Sequence, residues 1–171
     1  RHVYFVSDAS GSPQIYKMPA NGGTAERVTF AGKYNISPAV SADGRWLAYI
    51  SSDFEGSFRL HVLDLTVSNA IPVALTQTTA DESPSFPPNS RMIIYATQAK
   101  GQEALMTTTV DGKIQSPLAG KSGDIREQVI LVGTAADNSA FRSGFTPQEI
   151  MEVEVVDEID VESKSVAHLI E

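Results

Sequence analysis

The chain has 171 residues, a formal net charge of −8, no cysteine and an apolar fraction of 42%. This length suits one domain, and the lack of cysteine excludes both a disulfide framework and a thiolate nucleophile. No apolar run approaches the roughly 18–20 residues that cross a bilayer, and no basic run favours a nucleic-acid partner, so we expect neither membrane insertion nor nucleic-acid binding.

The first elements along the chain are three predicted strands. Residues 2–7 are rich in aromatic and β-branched side chains, as strands are. A turn cluster at residues 8–13 separates them from a second strand at 14–18, and a turn at 21–23 leads to a third at 25–30. This unit begins one strand late relative to the units that follow.

Two further units follow, each with four predicted strands. In the second unit, residues 31–36 form a connection, and the strands are marked by Val40 and by residues 47–50, 58–63 and 73–76. In the third unit, residues 78–82 form a connection, and the strands are marked by Phe86 and by residues 92–97, 104–109 and 114–119. Residues 120–127 lead to the point where a fourth unit would begin.

The units repeat with a period in the mid-forties. Pro38 and Pro84 are 46 residues apart, and so are Tyr49 and Tyr95. A unit of this length with four short apolar runs is typical of a four-stranded propeller blade, whereas stacked helix pairs would show a period of 3.6, which is absent. The sequence therefore predicts an all-β fold, a partial β-propeller of about three four-stranded blades.

The sequence contains no catalytic motif. It has no G-x-S-x-G elbow, H-E-x-x-H motif or P-loop, so we predict no enzyme activity, no cofactor and no metal centre. Asp81 and Glu82 lie in the connection that enters a blade, where loops converge on a propeller channel. They are interpreted either as polar residues that cap turns or as the lining of a funnel for a protein partner. A calcium ion among such carboxylates is a further alternative.

Four phrases resemble a known family. They are SDASGSPQIY at residues 7–16, SADG at 41–44, DESP at 81–84 and GDIRE at 123–127. Over residues 2–127 the chain resembles the C-terminal β-propeller of the TolB family, the periplasmic member of the Tol–Pal envelope system. The resemblance implies a parent propeller of six blades, of which this chain would be a fragment.

The resemblance also implies a function. Propellers of the TolB family are periplasmic and not enzymes; they bind the peptidoglycan-associated lipoprotein Pal at their open face and act with other Tol proteins in outer-membrane integrity and cell division. Some bacteriocins exploit the same channel. Carried over position by position, the partner-binding residues would lie in three loops: Asn35, Ile36 and Ser37; Asp81, Glu82 and Ser83; and Ile125, Arg126 and Glu127.

Two alternatives to this function stay open. One is the propeller gate of a prolyl-peptidase-like hydrolase. The other is a self-associating half-propeller scaffold, because three blades are fewer than the roughly four to eight that close a propeller. Such an open stack exposes two apolar blade faces, through which two copies would form a homodimer, with the C-terminal tail as a closing strand.

The C-terminal part resembles no family and is treated as a separate extension. We divide the chain into propeller blades at residues 1–127 and an acidic extension at 128–171, whose last part, 143–171, holds eight acidic side chains and one lysine. A Thr146-Pro147 pair followed by Glu149 has the form of a helix start, whereas the residues after it alternate as in a strand. We favour a short helix or disorder for this tail.

Overall fold

The computed structural model describes residues 2–52, 56–88, 91–99, 101–118, 153–156 and 168–169. All regular elements in these ranges are β-strands, which confirms the all-β prediction. They are β1 (His2–Ser7), β2 (Gln14–Pro19), β3 (Glu26–Arg27), β4 (Tyr34–Val40), β5 (Trp46–Ser52), β6 (Phe58–Asp64), β7 (Val73–Ala74), β8 (Glu82–Ser85), β9 (Met92–Ala99), β10 (Gln102–Thr109), β11 (Gln115–Pro117), β12 (Val153–Val156) and β13 (His168–Leu169). Across these ranges, no helix is present with the length and apolarity to cross a membrane.

The strands form three antiparallel sheets that follow one another along the chain. The orders are β13-β12-β1-β2-β3 in the first blade, β4-β5-β6-β7 in the second and β8-β9-β10-β11 in the third. The inner strands β4 and β8 contact each other, so the second and third blades stand side by side. Up-and-down sheets arranged in this way are propeller blades, which confirms the partial propeller.

Apolar side chains fill the gap between each pair of neighbouring blades. Between the first and second blades, Tyr4 and Ile15 pack with Tyr49. Between the second and third blades, Leu60 packs with Tyr95. Full burial of an aliphatic side chain such as Ile15 or Leu60 contributes roughly 1.5–3 kcal/mol. The repeat therefore places Tyr49 and Tyr95 in equivalent gaps.

The inner strands begin earlier than the sequence predicted. The sequence predicts connections at residues 31–36 and 78–82, but β4 begins at Tyr34 and β8 at Glu82. Each strand contains a β-bulge, between Ile36 and Ala39 in β4 and between Glu82 and Ser85 in β8. Because a bulge inserts an extra residue into one strand, it interrupts the alternation from which strands are recognised.

The described part of the tail is strand, not helix. β12 pairs antiparallel with β1 and contacts β4, so it takes the inner position that the first unit lacks in sequence. The preference for a short helix or disorder is therefore wrong at Val153–Val156, because an unpaired edge on β1 favours pairing by an alternating segment. The predicted helix start at residues 146–149 lies outside the described residues, and the division at 127/128 stays a prediction.

Candidate partner-binding site

A cavity of about 290 Å³ opens at the rim where the inner strands of the second and third blades begin. Four predicted site residues line it: Ile36 and Ser37 from one repeat, and Asp81 and Glu82 from the next. The other lining residues are Ile50, Phe58, Ala80 and Gln98. The fold therefore brings two segments that are 46 residues apart in sequence into one concave site, which we call the inner-rim cavity.

The predicted site residues differ in what they offer to a partner. Glu82 is exposed and Ile36 is half-buried. The other four described members are buried: Asn35, Ser37, Asp81 and Ser83. Their direct contact with a partner stays a prediction, and their burial gives them a positioning role. Ile125, Arg126 and Glu127 lie outside the described residues.

The two bulges present Ile36 and Glu82 in the same way. Each of these residues follows a buried Asn or Asp and precedes a serine in the left-handed region, Ser37 with a φ of 53° and Ser83 with a φ of 51°. Left-handed backbone costs a non-glycine residue roughly 1–2 kcal/mol, and a following proline restricts it further. Backbone strain of this kind clusters at functional sites.

Asp81 holds the second blade to the third. Its carboxylate accepts hydrogen bonds from the backbone N–H of Leu60 at 3.0 Å and from Thr97 Oγ1 at 2.6 Å. It also accepts hydrogen bonds from the hydroxyl groups of Thr76 and Thr78. Leu60 belongs to β6 and Thr97 to β9, so one carboxylate ties strands of both blades. We call this network the Asp81 junction.

Asn35 occupies the equivalent place between the first and second blades. Its Nδ2 donates to Gln14 Oε1 and to the carbonyl oxygen of Ala31, both at 2.8 Å. Thr29 Oγ1 donates to the same glutamine oxygen at 2.9 Å and accepts from the N–H of Ile15. Within the described residues, Asn35 Oδ1 has no hydrogen-bond partner. We call this network the Asn35 junction.

Electrostatics at the cavity come mainly from two carboxylates. Asp81 is buried inside its junction, and Glu82 is the one exposed charged side chain among the described lining residues. Burial, with a smaller contribution from the charge of Asp81, raises the pKa of Tyr95 to about 12. Burial alone raises the pKa of Tyr49. Both phenols are therefore neutral at physiological pH.

The calcium alternative stays a prediction. The described residues contain no group of three or more His, Asp and Glu side chains placed to hold an ion. The oxygens of Asp81 already accept four hydrogen bonds. The cavity lining combines apolar side chains with the exposed carboxylate of Glu82, which suits recognition of another molecule.

The sequence interpretation missed the aromatic side of the cavity. Phe58 lines the inner-rim cavity and meets Tyr34 edge to face, with ring centroids 5.9 Å apart. These two side chains are 36% and 39% exposed, which leaves both rings accessible at the rim. The predicted strand at residues 58–63 could have indicated this position for Phe58, because the first and third strands of an up-and-down blade start at the same rim.

Known proteins share the sequence and the fold of this chain. A family model described as the TolB beta propeller domain matches residues 1–129. The Tol-Pal system protein TolB of Albidiferax ferrireducens is 72% identical over 54 residues, 32% of this chain and 13% of the relative. TolB of Xanthomonas campestris pv. campestris is 38% identical over 111 residues, 65% of this chain and 25% of the relative.

A solved structure gives the same result. The crystal structure of TolB from Acinetobacter baumannii matches with a TM-score of 0.64 and 35% sequence identity, covering 71% of this chain and 30% of that chain. The chain spans about a quarter or less of the length of these curated relatives.

Proposed function

Because the chain belongs to the TolB β-propeller family, we propose that it is a non-catalytic propeller segment that binds the lipoprotein Pal at the inner-rim cavity. It acts in the periplasm, where TolB, Pal and the other Tol proteins maintain the outer membrane. The proposal rests on one observation: Ile36 and Glu82, which the family resemblance implies as partner-binding residues in two separate repeats, line one cavity.

Physical features of the cavity support this proposal. Binding residues collect where short segments are held by a rigid scaffold, and the Asn35 and Asp81 junctions fix the segments on both sides of the cavity. Interfaces combine an apolar centre with a polar rim. Ile36 and Phe58 supply the first and Glu82 the second.

The two alternatives have less support. The match to TolB over residues 1–129 does not favour a prolyl-peptidase-like gate. A homodimer through open blade faces stays a prediction.

Calorimetric titration of the full chain with the soluble domain of Pal tests the proposal. We expect saturable binding that is lost on charge reversal by Glu82→Lys or Arg126→Glu. Glu26→Lys, at an exposed position on the outer strand β3, is the matched control and should bind like the unmodified chain. A folded sample, checked by circular dichroism, that does not bind Pal would contradict the proposal.

A further inference from the structure

The lining of the inner-rim cavity includes both apolar and polar side chains. Ile36, Ile50 and Phe58 are apolar, and Glu82 and Gln98 are polar. Ile50 is 1% exposed, whereas Ile36 is half-buried and Phe58 is partly open to solvent. A side chain that fills this space therefore meets both hydrocarbon and a carboxylate.

The charge of the cavity is negative. No lysine or arginine is among its described lining residues. The carboxylate of Asp81 is buried and accepts four hydrogen bonds inside its junction, whereas Glu82 is exposed at the cavity. An acidic partner side chain would be repelled by Glu82, and a purely apolar one would remove water from this exposed carboxylate at a cost in free energy.

Two side chains combine an apolar stem with a cationic head. Lysine and arginine bury their methylene groups on apolar surface while the charge stays at the edge. The exposed ring of Phe58 adds a face on which a cation is attracted. From this complementarity we infer that the inner-rim cavity receives a lysine or arginine side chain of the bound protein, with its stem on Ile36 and Phe58 and its charge beside Glu82.

This inference rests on the proposed function and adds the chemistry of its ligand. It also assigns specificity to two positions. Residues 36 and 82 occupy the same place in the repeat, between a buried Asn or Asp and a left-handed serine. Since the frame is shared and the presented side chain differs, Ile36 and Glu82 determine what the cavity accepts.

Single substitutions give the first test, with Pal as the titrant. Glu82→Gln keeps the shape of the side chain and should weaken binding about tenfold and reduce its dependence on salt. Ile36→Ala should weaken binding by about threefold to tenfold with the salt dependence unchanged. Glu26→Gln, an exposed glutamate on β3, is the matched control and should change neither.

Double-mutant cycles identify the contact itself. Each exposed lysine and arginine of Pal is replaced by alanine and titrated against the unmodified chain and against Glu82→Gln. We expect one basic residue whose loss weakens binding about tenfold against the unmodified chain but much less against Glu82→Gln.

The possible results separate the inference from the proposed function. If Pal binds and Glu82→Gln behaves like Glu26→Gln, or if no basic residue of Pal is coupled to Glu82, the basic-side-chain inference is wrong and Pal binding stands. If Pal does not bind the folded, unmodified chain at all, both are wrong.

Discussion

The Asn35 and Asp81 junctions solve the same structural problem with different charges. In both, a threonine that follows the outer strand accepts a hydrogen bond from a backbone N–H of the neighbouring strand. Thr29 accepts from Ile15 in β2, and Thr76 accepts from Leu60 in β6. At the Asp81 junction the carboxylate itself receives the donors, whereas at the Asn35 junction Gln14 lies between the threonine and the amide. The surrounding groups determine whether Asn or Asp fits: hydroxyls and an N–H favour a carboxylate, and carbonyl oxygens favour an amide.

The two junctions also differ in how completely they are satisfied. Asp81 uses both carboxylate oxygens, whereas Asn35 Oδ1 has no partner within the described residues. The space around Asn35 is tight: a Cβ on Gly32, whose φ is 83°, would stand 2.6 Å from Ser51 Oγ and 3.1 Å from that amide oxygen. The Asp81 junction is therefore the more completely satisfied of the two.

The largest expected effect comes from placing a carboxylate, as in the Asp81 junction, at the Asn35 junction. Asn35→Asp turns a carboxylate toward Gln14 Oε1 and the Ala31 carbonyl, both of which are acceptors. We expect the free energy of unfolding to fall by about 3–5 kcal/mol, as for an uncompensated buried charge. Urea unfolding followed by the fluorescence of Trp46, the single tryptophan, measures it.

The pH dependence of stability shows whether the loss in Asn35→Asp comes from the charge of the new side chain or from its shape. Burial raises the pKa of a carboxyl group, so stability should recover as the pH falls and the new aspartate gains a proton. Asn35→Ala, which introduces no charge, is the control and should show no such recovery. An Asn35→Asp protein as stable as the parent at neutral pH would show that the two junctions are interchangeable.

The converse substitution should have a smaller effect. Asp81→Asn replaces one acceptor oxygen by an amide donor, but hydroxyls rotate and can accept instead, and Leu60 N–H keeps Thr76 Oγ1 at 3.2 Å. We expect a loss of about 1–3 kcal/mol, typical of a buried hydrogen bond left unmade. The same urea measurement applies, with Asp81→Ala as the reference for loss of the whole side chain. Equal stability of the Asn and Asp forms would contradict a requirement for charge here.

The left-handed serines should behave alike at both junctions. Glycine adopts a positive φ without the strain that a Cβ brings, so Ser83→Gly should be about 1 kcal/mol more stable than Ser83→Ala. Because Ser37 has nearly the same φ, the Gly and Ala variants at position 37 should differ by a similar amount. Thermal unfolding of the four variants measures this, and a zero difference at either position would exclude a left-handed residue there.

The blades could be predicted from the sequence because the repeats have identical residues at equivalent positions. Pro38 with Pro84 and Tyr49 with Tyr95 give the period directly, and the predicted strand at 58–63 matches β6 (Phe58–Asp64) within one residue. The starts of the inner strands were not predicted, because a bulge breaks the period of two before the apolar positions resume.

Part of each junction could be predicted from the sequence. Thr29 and Thr76 are 47 residues apart, which is a sign that both serve one role. What the sequence does not show is that Leu60 and Thr76, on the second blade, donate to Asp81 at the start of the third blade, because only the packing of one sheet on the next brings them together. Likewise, the tail segment pairs with β1 because the first blade has an open edge, and no local propensity reports this.

The smallest expected effect is electrostatic and separates the two tyrosines. Tyr95 has a pKa raised to about 12 by burial and then by Asp81, whereas Tyr49 is affected by burial alone. Asp81→Asn should therefore lower the pKa of Tyr95, because the phenolate no longer forms beside a negative charge, and should leave the pKa of Tyr49 unchanged. Site-resolved NMR titration of the two rings measures both values, with Tyr49 as the internal control.

The sign of the stability change follows from the same shift. The folded pKa of Tyr95 exceeds its unfolded value near 10, so its contribution to stability is complete below about pH 10 and is lost as the pH rises through about 12. Tyr95→Phe, which cannot ionise, should therefore lose less stability than the parent over that interval. If Tyr95→Phe and the parent lost stability in parallel between about pH 10 and 12, ionisation of Tyr95 would not be the cause of the loss.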